Sequence, residues 1–468
     1  MKRILSYKLL LIGSLMLSLT FSGCSSKDEE GDLLSQIPSE YSFAAIADVE
    51  NILKQSGCEI QHDGTFQLSP KINQLIEESD VATQTLVHIL AGNVSEIKDK
   101  EILWFNTQSE ETPIVTFLLN DKDSFEQKIA KSSIASSSVG SNMVYTFPEC
   151  NVILGDSYCW ISRDVNLVIK LQEKLKEKKG TILPDNICDL MMTKNSLRFV
   201  SSPTVFRQKS IAMVAGFLNF RDTGIRGEVS AFDSEGSVTH FSDVLDRINK
   251  DVLDFVPRNT LLLLAFGEIK DWNKVWASLS PIISRGLSAQ NQIIAEGIKS
   301  YLENINGTTL FAMTPVGGSQ ALKNFNPLAW DCLFMTKMDE EATVDLMSTV
   351  ESSFPFLGID IRKELNDTYS FNYGTSEIRF GLLNGNIFLS NYDLESSNNG
   401  IDVKTDDALA CIFLSIPKSS EFAKAQNLPW GVEGSIKVKD ECIEMSLKLP
   451  GASGNALKEL INFTVDLE

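Results

Sequence analysis

Glu377–Ser390 reads EIRFGLLNGNIFLS. Two apolar runs flank Asn384-Gly385, the dipeptide that most readily folds a strand back on itself, because both residues accept the positive φ that a tight hairpin turn requires. The segment therefore predicts a β-hairpin. A second one stands earlier in the chain: Asn151–Ser162 reads NVILGDSYCWIS, with Gly155-Asp156-Ser157 at the bend. Each hairpin follows a short aromatic run, Tyr145-Thr146-Phe147 in one case and Tyr369-Ser370-Phe371 in the other.

The likeness extends outward from both hairpins. Upstream, VTFLLNDKDSFEQKIAKSS from Val115 and CLFMTKMDEEATVDLMSTVESS from Cys332 each predict a strand, a charged turn and a helix. Further back, Ile37-Pro38 opens IPSEYSFAAIADVENILKQSG and Val256-Pro257 opens VPRNTLLLLAFGEIKDWNKVWASL. Both give a proline, a polar turn, an apolar strand and an amphipathic helix, with Asp48 and Asp271 as N-caps. A helix capped by Ser69-Pro70 lines up Ile72, Leu75, Ile76, Leu86, Ile89 and Leu90 at helical spacing, and its counterpart lies around Ile293–Leu302.

Downstream, RFVSSPTVFRQK from Arg198 and CIFLSIPKSSEFAK from Cys411 each run from a strand into a helix start. GIRGEVSAFDSEGSVTHF and GVEGSIKVKDECIEMSLKL read as strand pairs, and SDVLDRINKDVLDF and GNALKELINF as closing helices. The fold class expected is α+β, in two tandem, weakly similar halves, 35–250 and 251–468. Each half is expected to be an antiparallel sheet with helices packed on one face.

The N-terminus carries an address. Lys2, Arg3 and Lys8 precede an apolar run from Leu9 to Phe21, and Phe21-Ser22-Gly23 lead to Cys24. A cationic start, an apolar stretch too short to span a bilayer and small residues before a cysteine make residues 1–23 a signal peptide. Phe21, Ser22 and Gly23 resemble the bacterial lipobox, which implies lipid attachment at Cys24. The polar run that follows cannot enter a core, so 24–34 reads as a solvated acidic tether. Within it, Lys27-Asp28-Glu29-Glu30 resembles the surface-export signal that Bacteroidota lipoproteins carry after the lipidated cysteine. That resemblance implies the outer leaflet of the outer membrane, with acyl chains as the only membrane anchor.

Composition narrows the partners. The formal charge is −20, and removal of residues 1–23, which hold three cations and no acid, makes it −23. Such a chain has no electrostatic footprint for nucleic acid or an anionic membrane surface. With 43% hydrophobic residues it can bury a substantial core. Seven cysteines follow Cys24: Cys58, Cys150, Cys159, Cys188, Cys332, Cys411 and Cys442. Their wide spacing gives no metal-ligand pattern, and most sit in apolar strands as small hydrophobes. Cys150 and Cys159 are expected on the two arms of one hairpin, the one place where a disulfide is open to these cysteines.

No residue set in the sequence carries catalysis, a metal or a cofactor. Gly155-Asp156-Ser157 resembles the nucleophile block of a family of serine esterases, but His62, His88 and His240 are the three histidines of the chain, and none follows in the Asp-x-x-His arrangement that would serve that serine. The second half puts Asn384-Gly385 at the same place, so a turn explains both. His62 reads as a turn residue, His88 as structural and His240 as a strand residue, too scattered for zinc. Gly317-Gly318 is not followed by a phosphate-loop helix. Glu77-Glu78 and Asp339-Glu340-Glu341 read as helix-surface and helix-start acids. The 26 phenylalanines against six tryptophans read as core; Trp272 and Trp276, four apart, are the one pair able to form an aromatic stripe.

Ala44-Ala45-Ile46-Ala47-Asp48 and Leu53-Lys54-Gln55-Ser56-Gly57, a Pro-led apolar strand and a helix ending in lysine and glycine, resemble the opening of a widespread but uncharacterised Bacteroidota surface lipoprotein family, a domain of unknown function. The resemblance implies a surface lipoprotein and no assigned activity. The function expected is a non-enzymatic binding or envelope-structural role toward a protein or polysaccharide partner. The alternative is a hydrolase acting on an extracellular polymer through two carboxylates distant in sequence.

Overall fold

The computed structural model describes residues 33–107, 113–176, 182–202, 211–222, 224–272, 303–317, 322, 330–356, 358–364, 368–373, 376–394, 405 and 407–466. Two compact units emerge: one runs to Thr239 and takes in Ala452–Glu468, and the other is His240–Gly451. The boundary between these units falls eleven residues before the division expected between 250 and 251, and the closing helix expected in the second half belongs to the first unit. Residues 1–32, and with them the signal peptide, Cys24 and most of the tether, lie outside the described residues, as do Trp276 and the helix expected around 293–302.

In chain order the first unit holds β1 (Tyr41–Asp48), α1 (Val49–Gln55), β2 (Glu59–Ile60), β3 (Phe66–Gln67), α2 (Pro70–Glu77), α3 (Val81–Asn93), β4 (Glu101–Thr107) and β5 (Ile114–Leu118). Then come α4 (Lys122–Ser132), β6 (Ala135–Val139), β7 (Asn142–Phe147), β8 (Cys150–Leu154), β9 (Tyr158–Ser162), α5 (Val165–Lys176), α6 (Asp185–Met191), β10 (Leu197–Ser201), β11 (Met213–Arg221) and β12 (Gly224–Phe232). Apart from the small β2–β3 ribbon, the strands form one ladder in the order β6-β7-β8-β9-β5-β4-β1-β10-β11-β12, antiparallel at every step.

The second unit holds β13 (Leu262–Phe266), β14 (Thr309–Pro315), β15 (Trp330–Thr336), α7 (Glu340–Phe356), β16 (Arg362–Lys363), β17 (Thr368–Tyr373), β18 (Ser376–Leu383) and β19 (Asn386–Ser390). It continues with β20 (Ala410–Ile416), α8 (Glu421–Ala425), β21 (Val432–Val438) and β22 (Ile443–Lys448). Its antiparallel ladder runs β16-β17-β18-β19-β15-β14-β13-β20-β21-β22. The C-terminal helix α9 (Ala456–Asp466) buries Leu457 and Ile461.

Local chemistry sets most element ends. Asp48 stops β1 in extended conformation and accepts from Asn51 N at 2.9 Å, starting α1. Both hairpins form as expected, and Asn384 and Gly385 take φ of 52° and 77°. The single helix expected after Ser69 is two. Asp80 accepts from the backbone of Ala82 and Thr83, and this second cap starts α3 afresh. The closing helix expected over 242–255 forms only two 3-10 turns, Phe241–Asp243 and Lys250–Phe255. In the first half the strand pair near 224–241 is instead β11 with β12; Val238 makes a single bridge to Phe232.

Buried residues of the first unit fall into two cores. Leu103 of β4, Ile114 of β5, Ile153 of β8 and Trp160 of β9 share one with Val168 of α5 and Ile187 of α6. Their sequence neighbours Ile102, Val115, Val152 and Ile161 share the other with Ile76 of α2, Ile89 of α3 and Phe125 of α4. Neighbours along a strand point to opposite faces, so helical residues share a core with each face, not one face as expected. The reason lies in the strands: IVTFL in β5 is buried at all five positions, and a strand apolar on both sides needs cover on both.

Candidate functional site

One end of β1 gathers polar residues from five segments. Asp48 ends β1, and its register partner on β4 is Glu101. On the other side of β1 lies β10, entered through Thr193-Lys194-Asn195-Ser196, while Asn219 stands near the end of the next strand, β11. Asp99 sits in the turn before β4, where it and Lys100 take φ of 53° and 61°. Such left-handed backbone is sparsely populated by residues other than glycine, and clusters of it mark functional sites. Asp48, Asn51, Asp99, Glu101, Lys194, Asn195, Ser196 and Asn219 line a cavity of about 180 Å³.

A hydrogen-bond network fixes its floor. Ser196 Oγ accepts from Asn51 Nδ2 at 2.6 Å and from Phe220 N at 3.0 Å, and Asp48 N donates to Ser196 O at 2.9 Å. Asn219 Nδ2 donates to Asn195 Oδ1 at 3.1 Å; Asn195 Nδ2 donates to Thr193 Oγ1 at 2.8 Å. Beneath this lies Arg198 of β10, 1% exposed. Its Nη2 donates to Glu101 Oε1 at 2.6 Å and its Nη1 to Thr193 O. A buried guanidinium is tolerated only where anions and carbonyls replace water; here Glu101 and the Thr193 carbonyl do so for the two Nη atoms, while Nε is buried without a partner among the described residues.

The cavity is rich in charge, but much of that charge is engaged. Glu101 is held by Arg198. Burial pushes the carboxyl of Asp48 above the ordinary range, countered by the Asn51 N–H it accepts and by the cations Arg198 and Lys54. Lys194 and Asp99 are exposed at the rim. The lining thus offers amide donors, carboxylate acceptors and one ammonium group to a small, hydrogen-bonding ligand, with no apolar wall.

Among these residues the sequence pointed to Asp48 alone, and only as a helix cap. The missed signal is in Leu197-Arg198-Phe199-Val200, where a cation interrupts an apolar strand directly after a run of four polar residues. The lipobox residues Phe21, Ser22 and Gly23, Cys24, and the export run Lys27, Asp28, Glu29 and Glu30 lie outside the described residues. Ser157 stands in the β8–β9 turn with its side chain exposed, its carbonyl accepting from Leu119 N at 3.0 Å. His62 and His88 are exposed. His240 lies in no strand; it precedes a 3-10 turn and its Nδ1 pairs with Asp440 Oδ2 at 3.0 Å. Trp272 is not part of an exposed stripe; it packs against Ile305, Met338 and Ile387. Cys150 and Cys159 are buried and free; burial pushes the Cys150 thiol to about 11 and holds that of Cys159 well above its usual value.

No family model matches the chain, and no curated protein matches it. Among solved structures, crystal form IV of TP0453 is similar at 11% identity and a TM-score of 0.30, over 43% of this chain and 81% of that one. Crystal form III matches at 11% identity over 47% and 84%, and crystal form I at 12% over 47% and 82%, both with a TM-score of 0.30. Among the described residues no helix is long and apolar enough to cross a membrane.

Proposed function

We propose that this chain is a lipid-anchored protein of the bacterial outer membrane, acylated at Cys24 and carried to the cell surface by Lys27-Asp28-Glu29-Glu30. Its folded part binds a protein or polysaccharide partner without catalysis. The address rests on residues 1–30. The binding role rests on one observation: the β1 cavity is a preset hydrogen-bonding surface whose Glu101 is committed to Arg198 and whose Asp48 is committed to the α1 cap. A cavity of about 180 Å³ fits one sugar ring or one polar side chain of a larger partner.

The two halves are copies of one unit in this reading. What supports it is ladder order: replacing β6-β7-β8-β9-β5-β4-β1-β10-β11-β12 by β16-β17-β18-β19-β15-β14-β13-β20-β21-β22 maps every antiparallel neighbour onto a neighbour. The Gly155 turn and the Gly385 turn then connect corresponding strands.

Three measurements test the proposal. Protease treatment of intact cells removes the protein, and Cys24→Ala abolishes incorporation of labelled palmitate; label on that variant would overturn the anchor. Calorimetric titration of the processed chain with envelope oligosaccharides and peptides gives binding that Asn219→Ala and Lys194→Ala weaken. Binding untouched by both would remove the cavity from the function.

A hydrolase reading has one observation of its own: Asp48 and Glu101 are register partners lining one cavity. Directly opposed residues place their Cβ atoms about 5 Å apart, which brings two carboxylates to one cavity, as a two-carboxylate hydrolysis requires. Release of reducing ends from a polymer by the wild type, abolished in Asp48→Asn, which keeps the cap, would favour it over binding alone.

A further inference from the structure

The outer edge of the first ladder is open. Among the described residues strand β6 pairs only with β7, in unbroken register from Ala135↔Thr146 to Val139↔Asn142, and all five of its residues are exposed. Ile134, just before it, is 70% exposed. A strand paired on one side turns alternate N–H and C=O groups outward, ready to accept another strand. Folded proteins blunt such edges with charge, proline, bulges or brevity. None is present here: from Ser132 to Glu149 the chain carries no Asp, Glu, Lys or Arg until Glu149 itself, and Pro148 falls after β7. The outer edge of the second ladder is the opposite case. Strand β16 has two residues, Arg362 and Lys363, both exposed and paired to Glu377 at 3.1 Å and Glu351 at 3.3 Å.

We propose that β6 is where two copies of this chain join, β6 against β6, antiparallel across a two-fold axis. Charge selects the second copy over a foreign strand. The chain carries −20, so two copies repel one another wherever acidic surfaces meet. Self-pairing needs a strip free of charge, and the β6–β7 hairpin is one. A basic partner would be held by acids beside the edge, and the hairpin supplies none. Antiparallel pairing centred on Ser137 sets Ser136 opposite Ser138 and Ala135 opposite Val139 of the other copy, with no like charges opposed. Facing serines suit such a ladder: in the second unit, Ser435 and Ser446 are register partners with their hydroxyls 2.8 Å apart. A five-residue pairing buries less than the roughly 1,200 Å² of standard interfaces, so the dimer is concentration-dependent, and it closes the edge without extending into a fibre.

The test is cross-linking of the full chain in its own membrane. Ser137→Cys, treated with a copper–phenanthroline oxidant, gives a band at twice the chain mass, reversed by reductant. Gln61→Cys, exposed in a turn of the same unit, serves as the collision control and gives several-fold less. Adding Ser136→Lys and Ser138→Lys, which charge the edge and leave the backbone intact, brings the Ser137→Cys yield down to that control. Sedimentation equilibrium of the processed chain shows mass rising with concentration, and the two lysines abolish the rise. The proposal falls if Ser137→Cys cross-links no better than Gln61→Cys. It falls equally if the dimer survives both lysines, or if the product's added mass is not that of this chain.

Discussion

Arg198 and Glu101 stand on strands that do not touch. Strand β1 runs between them, with Ile46 beside Arg198 and Asp48 beside Glu101, and the 2.6 Å bond from Nη2 to Oε1 closes over it. The two ends of this clamp differ in solvation: the arginine side chain is 2% exposed and the glutamate 24%.

That difference orders two variants. Glu101→Gln leaves a buried guanidinium without its anion and lowers unfolding free energy by about 3 kcal/mol or more. Arg198→Met leaves a carboxylate that water partly reaches and costs less. Urea unfolding of both, read by fluorescence, checks the order; Arg198→Met proving the more damaging would mean the clamp has been misread.

Asp48 has a cap to keep and a charge to bury. Asp48→Ala loses the cap and about 1 kcal/mol, whereas Asp48→Asn keeps it and is no less stable than wild type at neutral pH. The sign follows from burial raising its pKa. The folded form still holds its proton where the unfolded carboxyl, near 3.9, has lost it. Stability from this group therefore falls as pH rises from the unfolded value through the folded one. Urea midpoints of wild type and Asp48→Asn, compared from low to neutral pH, should converge toward the acid end; a constant gap would remove the buried charge as the cause.

The hydrogen bond and charge of Asp440 hold the pKa of His240 above its ordinary value, while Ser242 and then His240 lower that of Asp440. Protonated histidine stabilises the contact at pH below about 6.5, and this is lost as pH rises through the folded value. The aspartate contribution is present above about 3.9 and is lost as pH falls through its own lowered value. Proton NMR of the His240 ring should give a titration that shifts downward in Asp440→Asn; an unmoved midpoint would show the contact absent in solution.

The two hairpin turns should respond differently to alanine. Gly385 has φ of 77° with open space where a Cβ would sit, so Gly385→Ala costs about 1 kcal/mol from backbone conformation alone. Ser157→Ala changes an exposed side chain and stays within about 0.5 kcal/mol of wild type. Thermal unfolding of both tests the pair, and a large loss at Ser157 would revive a role beyond the turn.

The sequence by itself determined what neighbouring residues decide. Asn384-Gly385 forces a turn whatever surrounds it, Asp48 caps the helix that begins one residue later, and alternation or continuity of apolar residues marks a strand. Those signals act within a few residues, which is why both hairpins, α1 and the α+β class were legible. The N-terminal address proposed above is read from equally local signals, in residues that lie outside the described ones. Where a second local signal competed, the reading failed: Asp80 restarted the helix after Ser69, and 242–255 found only two 3-10 turns. The tertiary structure alone decided that β1 lies between β4 and β10, which brings Glu101 and Arg198 together from 97 positions apart and gathers Asn51, Asn195 and Asn219 around one cavity. No periodicity encodes such a meeting, because it depends on strand order. Strand order is settled by burying both faces of β5, β8 and β9 at once, a condition on the whole unit rather than on any stretch of it.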